Sequence, residues 1–188
     1  MDSPSDGSPA GRVVGLWRYP VKSMGAEALT EVAVSWHGLA GDRRWAFVRN
    51  GQTQSGFPWL TLRDCGDMSH YKPLFVEPTR PDPTSRPQWC KCRRAQTVGM
   101  PPDIRRLRPN ILVEAMGETA FPEDHWVGRV LRLGTPRMRA DKRDGRCLVI
   151  TIDPVTTERH PLILRAVAND RQGGLVVHGS TAEPVASC

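Results

Sequence analysis

No apolar run in this 188-residue chain approaches the roughly 20 residues a membrane-crossing helix needs, so no membrane span is expected. The first eleven residues lack both a basic segment and an apolar one, and are rich in Ser, Pro, Gly and Asp. Residues 1–11 are therefore expected to be a disordered tail and not a secretory signal, which places the protein in the cytoplasm. Cysteine is sparse and irregular, at Cys65, Cys90, Cys92, Cys147 and Cys188. An odd count at such spacings argues against a disulfide framework and leaves thiols for chemistry. There are no internal repeats. A Gly-x-Gly-x-x-Gly fingerprint, an iron–sulfur cysteine array and a haem motif are also missing, so any electrons used must come from a partner. Lysine is scarce as well, four residues against 22 Arg.

What is present fits a globular protein. Hydrophobic residues make up 39% and charged residues 24% of the chain, enough for one core or two small packed lobes. Seventeen Gly and seventeen Pro favour short strands joined by turns over long helices. The net charge of +6 suggests an anionic partner, whether nucleic acid, a membrane surface or a phosphorylated small molecule.

Strand patterns appear at Val13–Val21 and at Leu29–Trp36, where Val32, Val34 and Trp36 alternate towards one side. The turn His37-Gly38-Leu39-Ala40-Gly41 should lead into Arg44–Val48 as the hairpin partner. Leu74–Glu77 reads as a further short strand stopped by Pro78. The Pro-rich, aperiodic stretch 79–102 is expected to link two lobes, residues 12–78 and 103–188. Strands resume at Ile111–Ala115, Val130–Leu133, Arg137–Ala140, Cys147–Ile152 and Leu175–His178. One helix is expected at Pro161–Asn169, with Leu162, Ile163, Ala166 and Val167 as its apolar stripe. The pattern predicts a mainly β protein, a partly closed barrel with few short helices.

Cys147 stands out chemically. It follows Lys142, Arg143 and Arg146, and neighbouring cations favour the thiolate, the nucleophilic and metal-binding form. A buried structural cysteine beside a solvated basic turn is the alternative. Lys22 and Ser23 follow a strand and suit a phosphate grip, or form an exposed turn. Asp42-Arg43 offers a guanidinium for bidentate anion contacts, or a surface ion pair. Arg108 and Asn110 flank Pro109 before a strand, where both could converge on a ligand or Asn110 could cap a turn. Cys90-Lys91-Cys92 with His70 or His125 lacks the usual zinc spacing. Arg93-Arg94 and Arg105-Arg106 lack the interleaved aromatics of a nucleic-acid surface.

Taken in order, several segments resemble the MOSC domain family. Leu16-Trp17-Arg18-Tyr19-Pro20-Val21-Lys22-Ser23-Met24-Gly25, Gly38-Leu39-Ala40-Gly41-Asp42-Arg43-Arg44-Trp45 and Pro58-Trp59-Leu60-Thr61-Leu62-Arg63 are similar to its N-terminal β-barrel domain. Arg106 through Glu114, Phe121 through Gly128, and Arg146-Cys147 with Asp153-Pro154 are similar to the MOSC core. By motif the chain also resembles the mitochondrial amidoxime-reducing component and bacterial proteins of its type. That resemblance implies a MOSC-type β-barrel with an N-terminal β-barrel-like lobe, holding the molybdenum cofactor (molybdopterin). Cys147 would be the metal ligand, and Lys22, Ser23, Arg43, Arg108, Asn110 and Arg146 the pterin-phosphate contacts. Asp124 is assigned to the substrate face. The implied reaction is two-electron reduction of N-hydroxylated small molecules, fed by a separate haem, flavin or iron–sulfur donor protein. A non-enzymatic cofactor or sulfur carrier is the first alternative, through the family's association with pyridoxal-phosphate-dependent sulfurases; a basic nucleic-acid-binding module is the second. Two features depart from the family pattern: a short stretch at 79–100, and no Gly-Asp-x-Val strand after Gly179-Ser180.

Overall fold

A computed structural model of the chain describes residues 7–51, 56–73 and 103–184, and the backbone of 88–90. The architecture is mainly β. Strands β1 (Gly11–Arg18), β2 (Glu27–Ala28), β5 (Gln88–Cys90), β6 (Ile111–Ala115), β7 (Val130–Arg132), β8 (Arg137–Gly145) and β9 (Gly174–Glu183) form one sheet. Its order is β2-β1-β6-β5-β9-β8-β7, and β3 (Val34–Ser35) with β4 (Gly38–Leu39) makes a separate hairpin. All pairings are antiparallel except β5 with β6. No pairing joins β2 to β7, so the described strands form no closed barrel.

The sheet unites both halves of the chain. β1 runs antiparallel to β6, with Val13 opposite Val113 and Leu16 opposite Ile111. At Gly11 the backbones come so close that a Cβ would lie 2.5 Å from the Glu114 carbonyl oxygen, so only glycine fits this register. β6 alternates as a half-buried strand should, turning Ile111, Val113 and Ala115 inward. With Met138 and Ala140 of β8, Val177 of β9, Leu39 and Trp126 they form the main core. A second core of Leu107, Ile150, Val167 and Val176 lies under helix α1 (Pro161–Arg171), and a third contains Leu62, Met68 and Ile152. Val176, with φ 64°, has left-handed backbone, costly for a β-branched residue. β9 has register shifts against β8 on both sides of this region, and the consecutive Val176 and Val177 enter different cores.

Several expectations need correction. The Leu29–Trp36 strand is confined to Val34–Ser35, because Ser35 pairs directly with Gly38 across a two-residue turn at Trp36-His37. Gly38 (φ 92°) permits that early reversal, leaving Trp36 exposed while Val34 is buried. Arg44–Val48 therefore finds other partners: Trp45 bridges to Val21, and Val48 to Trp59. Cys147–Ile152 is no strand. Leu148–Thr151 winds into a single 3-10 turn, closed by the Thr151 hydroxyl donating to the Leu148 carbonyl at 2.7 Å. The turn sends Ile150 into the second core and Val149 against the third, which a two-residue strand period would not do. Helix α1 begins at Pro161 as expected, but Leu162 is exposed and Ile163, Leu164 and Val167 face the core. Most of 79–102, the Leu74–Glu77 stretch, Cys92, Cys188 and residues 1–6 lie outside the described residues. Within the expected linker, however, Gln88–Cys90 is strand β5, which supplies ladder partners to both β6 and β9.

Candidate functional site

At the end of the sheet, loops from both halves of the chain enclose a cleft of about 560 Å³. That volume falls within the roughly 300–1,000 Å³ of small-molecule and cofactor sites. One wall comes from the loop after β1, carrying Lys22 and Ser23, and from the Arg43–Ala46 segment beside it. The rest of the lining includes Arg106–Arg108, Asp144–Cys147 after β8, and His178 of β9. Six residues singled out in the sequence thus line one cleft: Lys22, Ser23, Arg43, Arg108, Arg146 and Cys147.

Three of them, Ser23 (φ 69°), Arg43 (φ 48°) and Arg108 (φ 51°), hold left-handed backbone. Each such conformation costs about 1–3 kcal/mol in a non-glycine residue and persists only where neighbours enforce it. Here the enforcement is visible. The Arg43 N–H donates to the Tyr19 carbonyl at 2.8 Å, and the Arg108 N–H closes the preceding turn on the Arg105 carbonyl at 3.0 Å. The Arg43 guanidinium pairs with Asp42 and donates to Asn110 Oδ1 at 2.6 Å and to the Arg108 carbonyl at 3.1 Å. Asn110 itself is fully buried and does not line the cleft. Its Nδ2 donates to Asp42 Oδ1 at 2.8 Å and to the Trp17 carbonyl at 3.0 Å, so it braces Arg43 from behind. The Arg108 guanidinium donates to the Met24 carbonyl at 2.6 Å and lies 4.3 Å from the Tyr19 ring centroid. Burial lowers the Arg108 pKa to about 10, which leaves it charged at neutral pH.

The Lys22 ammonium lies 4.1 Å from the Trp59 ring centroid and 4.6 Å from that of Phe57, and burial lowers its pKa. Arg146 donates to the Leu107 carbonyl at 3.1 Å and pairs with Asp144, whose other oxygen meets His178 Nε2 at 2.5 Å. Cys147 is exposed. Partial burial alone would raise its pKa, but hydrogen bonds from the Val149 backbone and Arg63, with the charges of Arg63 and Arg146, outweigh it and lower the thiol's pKa. Asp124 lies elsewhere. It sits on the 3-10 turn Pro122–Trp126, is bound by Arg171 at 2.8 Å, and does not line the cleft.

Sequence reasoning gave Arg63, Asp144, His178, Trp45 and Trp59 no role in the site, and weighed Arg106 only as part of a nucleic-acid surface. Arg106 is buried, donates to the Thr151 carbonyl at 3.1 Å and pairs with Asp153, which ties it to the turn behind Cys147. Arg105 pairs with Asp103. Arg63 and His178 carry no local signal, since only the fold brings them near residues distant in sequence. Among the described residues no His/Cys/Asp/Glu cluster could hold a metal ion, so a metal here would depend on a single thiolate and its own organic ligand.

Residues 10–71 match the family profile described as the MOSC N-terminal beta barrel domain, and residues 88–184 match that of the MOSC domain. The chain belongs to the MOSC family. No curated protein and no solved structure matches it. MOSC domains are associated with molybdenum-cofactor binding, and the donor set of this MOSC cleft suits such a group. A pterin phosphate is an anion, and Lys22, Arg43, Arg108 and Arg146 supply cationic donors around one cavity. A soft metal prefers a thiolate, and Cys147 presents an exposed thiol of lowered pKa in that cavity. Among the described residues, no helix of this MOSC protein is long and apolar enough to cross a membrane.

Proposed function

We propose that this MOSC protein binds the molybdenum cofactor in the cleft and reduces N-hydroxylated small molecules. The observation that carries the reading is the exposed Cys147 thiol, of lowered pKa, in the same cavity as six cationic side chains. Cys147 would ligate the metal. Lys22, Ser23, Arg43, Arg108 and Arg146 would hold the pterin phosphate, with Asn110 keeping Arg43 in place. When bound, the cofactor would supply two-electron redox chemistry. Overall, the substrate N–O bond breaks; two electrons from a separate haem, flavin or iron–sulfur donor protein and two protons yield the amine, or the amidine from an amidoxime, and water. The chain's own residues would hold the anionic group, favour the thiolate through Arg63 and Arg146, and present the cavity to substrate.

Molybdenum per chain tests the proposal, measured by mass spectrometry for the wild type and Cys147→Ser made in a host that synthesises the cofactor. Near-stoichiometric metal in the wild type, lost in the variant, together with reduction of benzamidoxime, is the expected outcome. Well-folded wild type without molybdenum would overturn it. The exposure of Cys147 also suits a carrier that hands its cargo to another protein. Molybdenum bound without turnover of benzamidoxime or hydroxylaminopurine would favour that second reading.

A further inference from the structure

Beyond the cationic donors, the cleft has an aromatic side. Trp45, Ala46 and Trp59 line the same cavity as Cys147. Backbone bonds hold this side together: Lys22 N–H to the Trp45 carbonyl at 2.8 Å, Arg49 N–H to Pro58 at 2.8 Å and Leu60 N–H to Phe47 at 2.8 Å. Phe57 packs edge-on against Trp59, with ring centroids 5.2 Å apart. Trp45 and Phe57 remain 42% and 46% exposed. Single exposed rings are ordinary on a protein surface, but aromatic side chains at the wall of a polar cavity are what planar ligands use.

The charges of the cleft narrow the ligand further. Six cations line it, Lys22, Arg43, Arg44, Arg106, Arg108 and Arg146, against one carboxylate, Asp144. Asp144 is already engaged by Arg146 and His178. Among the described residues, the cleft walls offer a cationic substrate, such as an alkyl N-hydroxyguanidine, no carboxylate besides this engaged one. A neutral, flat substrate meets the indoles of Trp45 and Trp59 instead.

We infer that Trp45, with the adjoining Phe57–Trp59 pair, is the specificity wall that selects neutral substrates carrying a flat aromatic group. The inference rests on the proposed reduction of N-hydroxylated compounds, and adds which of them this cleft prefers and which side chain decides it. Trp45 meets the anion-holding set through its backbone carbonyl, which accepts from the Lys22 N–H and is kept on substitution, so replacing the indole should leave cofactor content untouched.

Benzamidoxime and acetamidoxime carry the same reacting group with and without a ring. Their affinities for the full chain, measured by calorimetry, should differ by about 10-fold in favour of the aryl compound. In Trp45→Ala that ratio should fall to about twofold, while Trp45→Phe keeps most of it and molybdenum per chain stays at the wild-type level. Trp45→Leu, which keeps apolar volume without a ring, reads the same loss if the alanine variant folds poorly. Equal affinities in the wild type, or an unchanged ratio in both ring-deleted variants, would overturn the inference. A chain without molybdenum that still prefers the aryl compound would support the wall and sink the cofactor reading; a molybdenum-loaded chain without preference would sink the wall alone.

Discussion

The Arg108 guanidinium stacks 4.3 Å from the centre of the Tyr19 ring, while the buried Tyr19 hydroxyl has no hydrogen-bond partner among the described residues. Arg43 approaches the same ring at 5.2 Å. The ring and not the phenol oxygen is therefore what this site uses, and burial pushes the phenol pKa up to about 12, so it stays neutral.

Tyr19→Phe should leave stability unchanged or raise it by up to about 1 kcal/mol, because it removes an unsatisfied buried hydroxyl. Tyr19→Leu should cost about 2–4 kcal/mol, from lost cation–π contact and imperfect filling of the space. Thermal melts of the two variants decide the matter. A Phe variant that loses more than about 1 kcal/mol would mean that the hydroxyl has a partner after all.

Asn110 connects three groups at once, Arg43, Asp42 and the Trp17 backbone, in a fully buried position. Asn110→Ala leaves a buried carboxylate and a guanidinium short of partners, and should destabilise the chain by about 3 kcal/mol in urea titration. Cofactor content should fall as well, because Arg43 loses its brace. A variant as stable as the wild type would show that Asp42 alone holds Arg43.

The thiol of Cys147 should titrate below an ordinary cysteine in the metal-free chain. A lowered pKa means that the thiolate persists to lower pH, so alkylation by iodoacetamide should retain its rate at pH values where a free thiol has slowed. Arg63→Ala removes a hydrogen bond and a charge from the thiolate, and should move the rate profile towards higher pH. An unmoved profile would leave Val149 and Arg146 as the groups that matter.

Arg106 is a buried guanidinium that fastens the 3-10 turn after Cys147 through Thr151 and Asp153. Arg106→Ala should cost about 1–3 kcal/mol, because it empties the space of a buried guanidinium and leaves the partly buried Asp153 and the Thr151 carbonyl without their donor. Hydrogen exchange should quicken at Ile150 and Ile152, whose amides close this turn and the bend after it. If exchange there is unchanged, the turn is held by its apolar contacts alone.

The elements legible in the sequence were those whose own pattern matched their surroundings. Ile111–Ala115 is a strand with the boundaries its β-branched alternation suggests, and α1 starts at Pro161 because a proline suits the first helical position. Leu148–Thr151 was illegible for a converse reason. Four consecutive residues of high strand propensity lie between separate cores, and two-sided burial bends them into a turn. The short reversal at Trp36-His37 turned on the backbone freedom of Gly38, which several turn geometries could have used.

For the candidate site, the chain's own order of residues was enough to single out a thiol next to cations, a Lys-Ser pair after a strand, and two Arg-bearing turns. These are local features, decided by neighbours within a few positions. What lies opposite them was settled only in three dimensions: Arg63 beside Cys147, His178 on Asp144, Trp59 under Lys22, and Tyr19 between Arg43 and Arg108. Asp124, by contrast, was drawn to Arg171 and away from the cleft. Charge and side-chain chemistry are carried by the sequence, but distance is not, and the pKa of a thiol or the seat of a guanidinium depends on groups that only the folded sheet brings within a few ångströms.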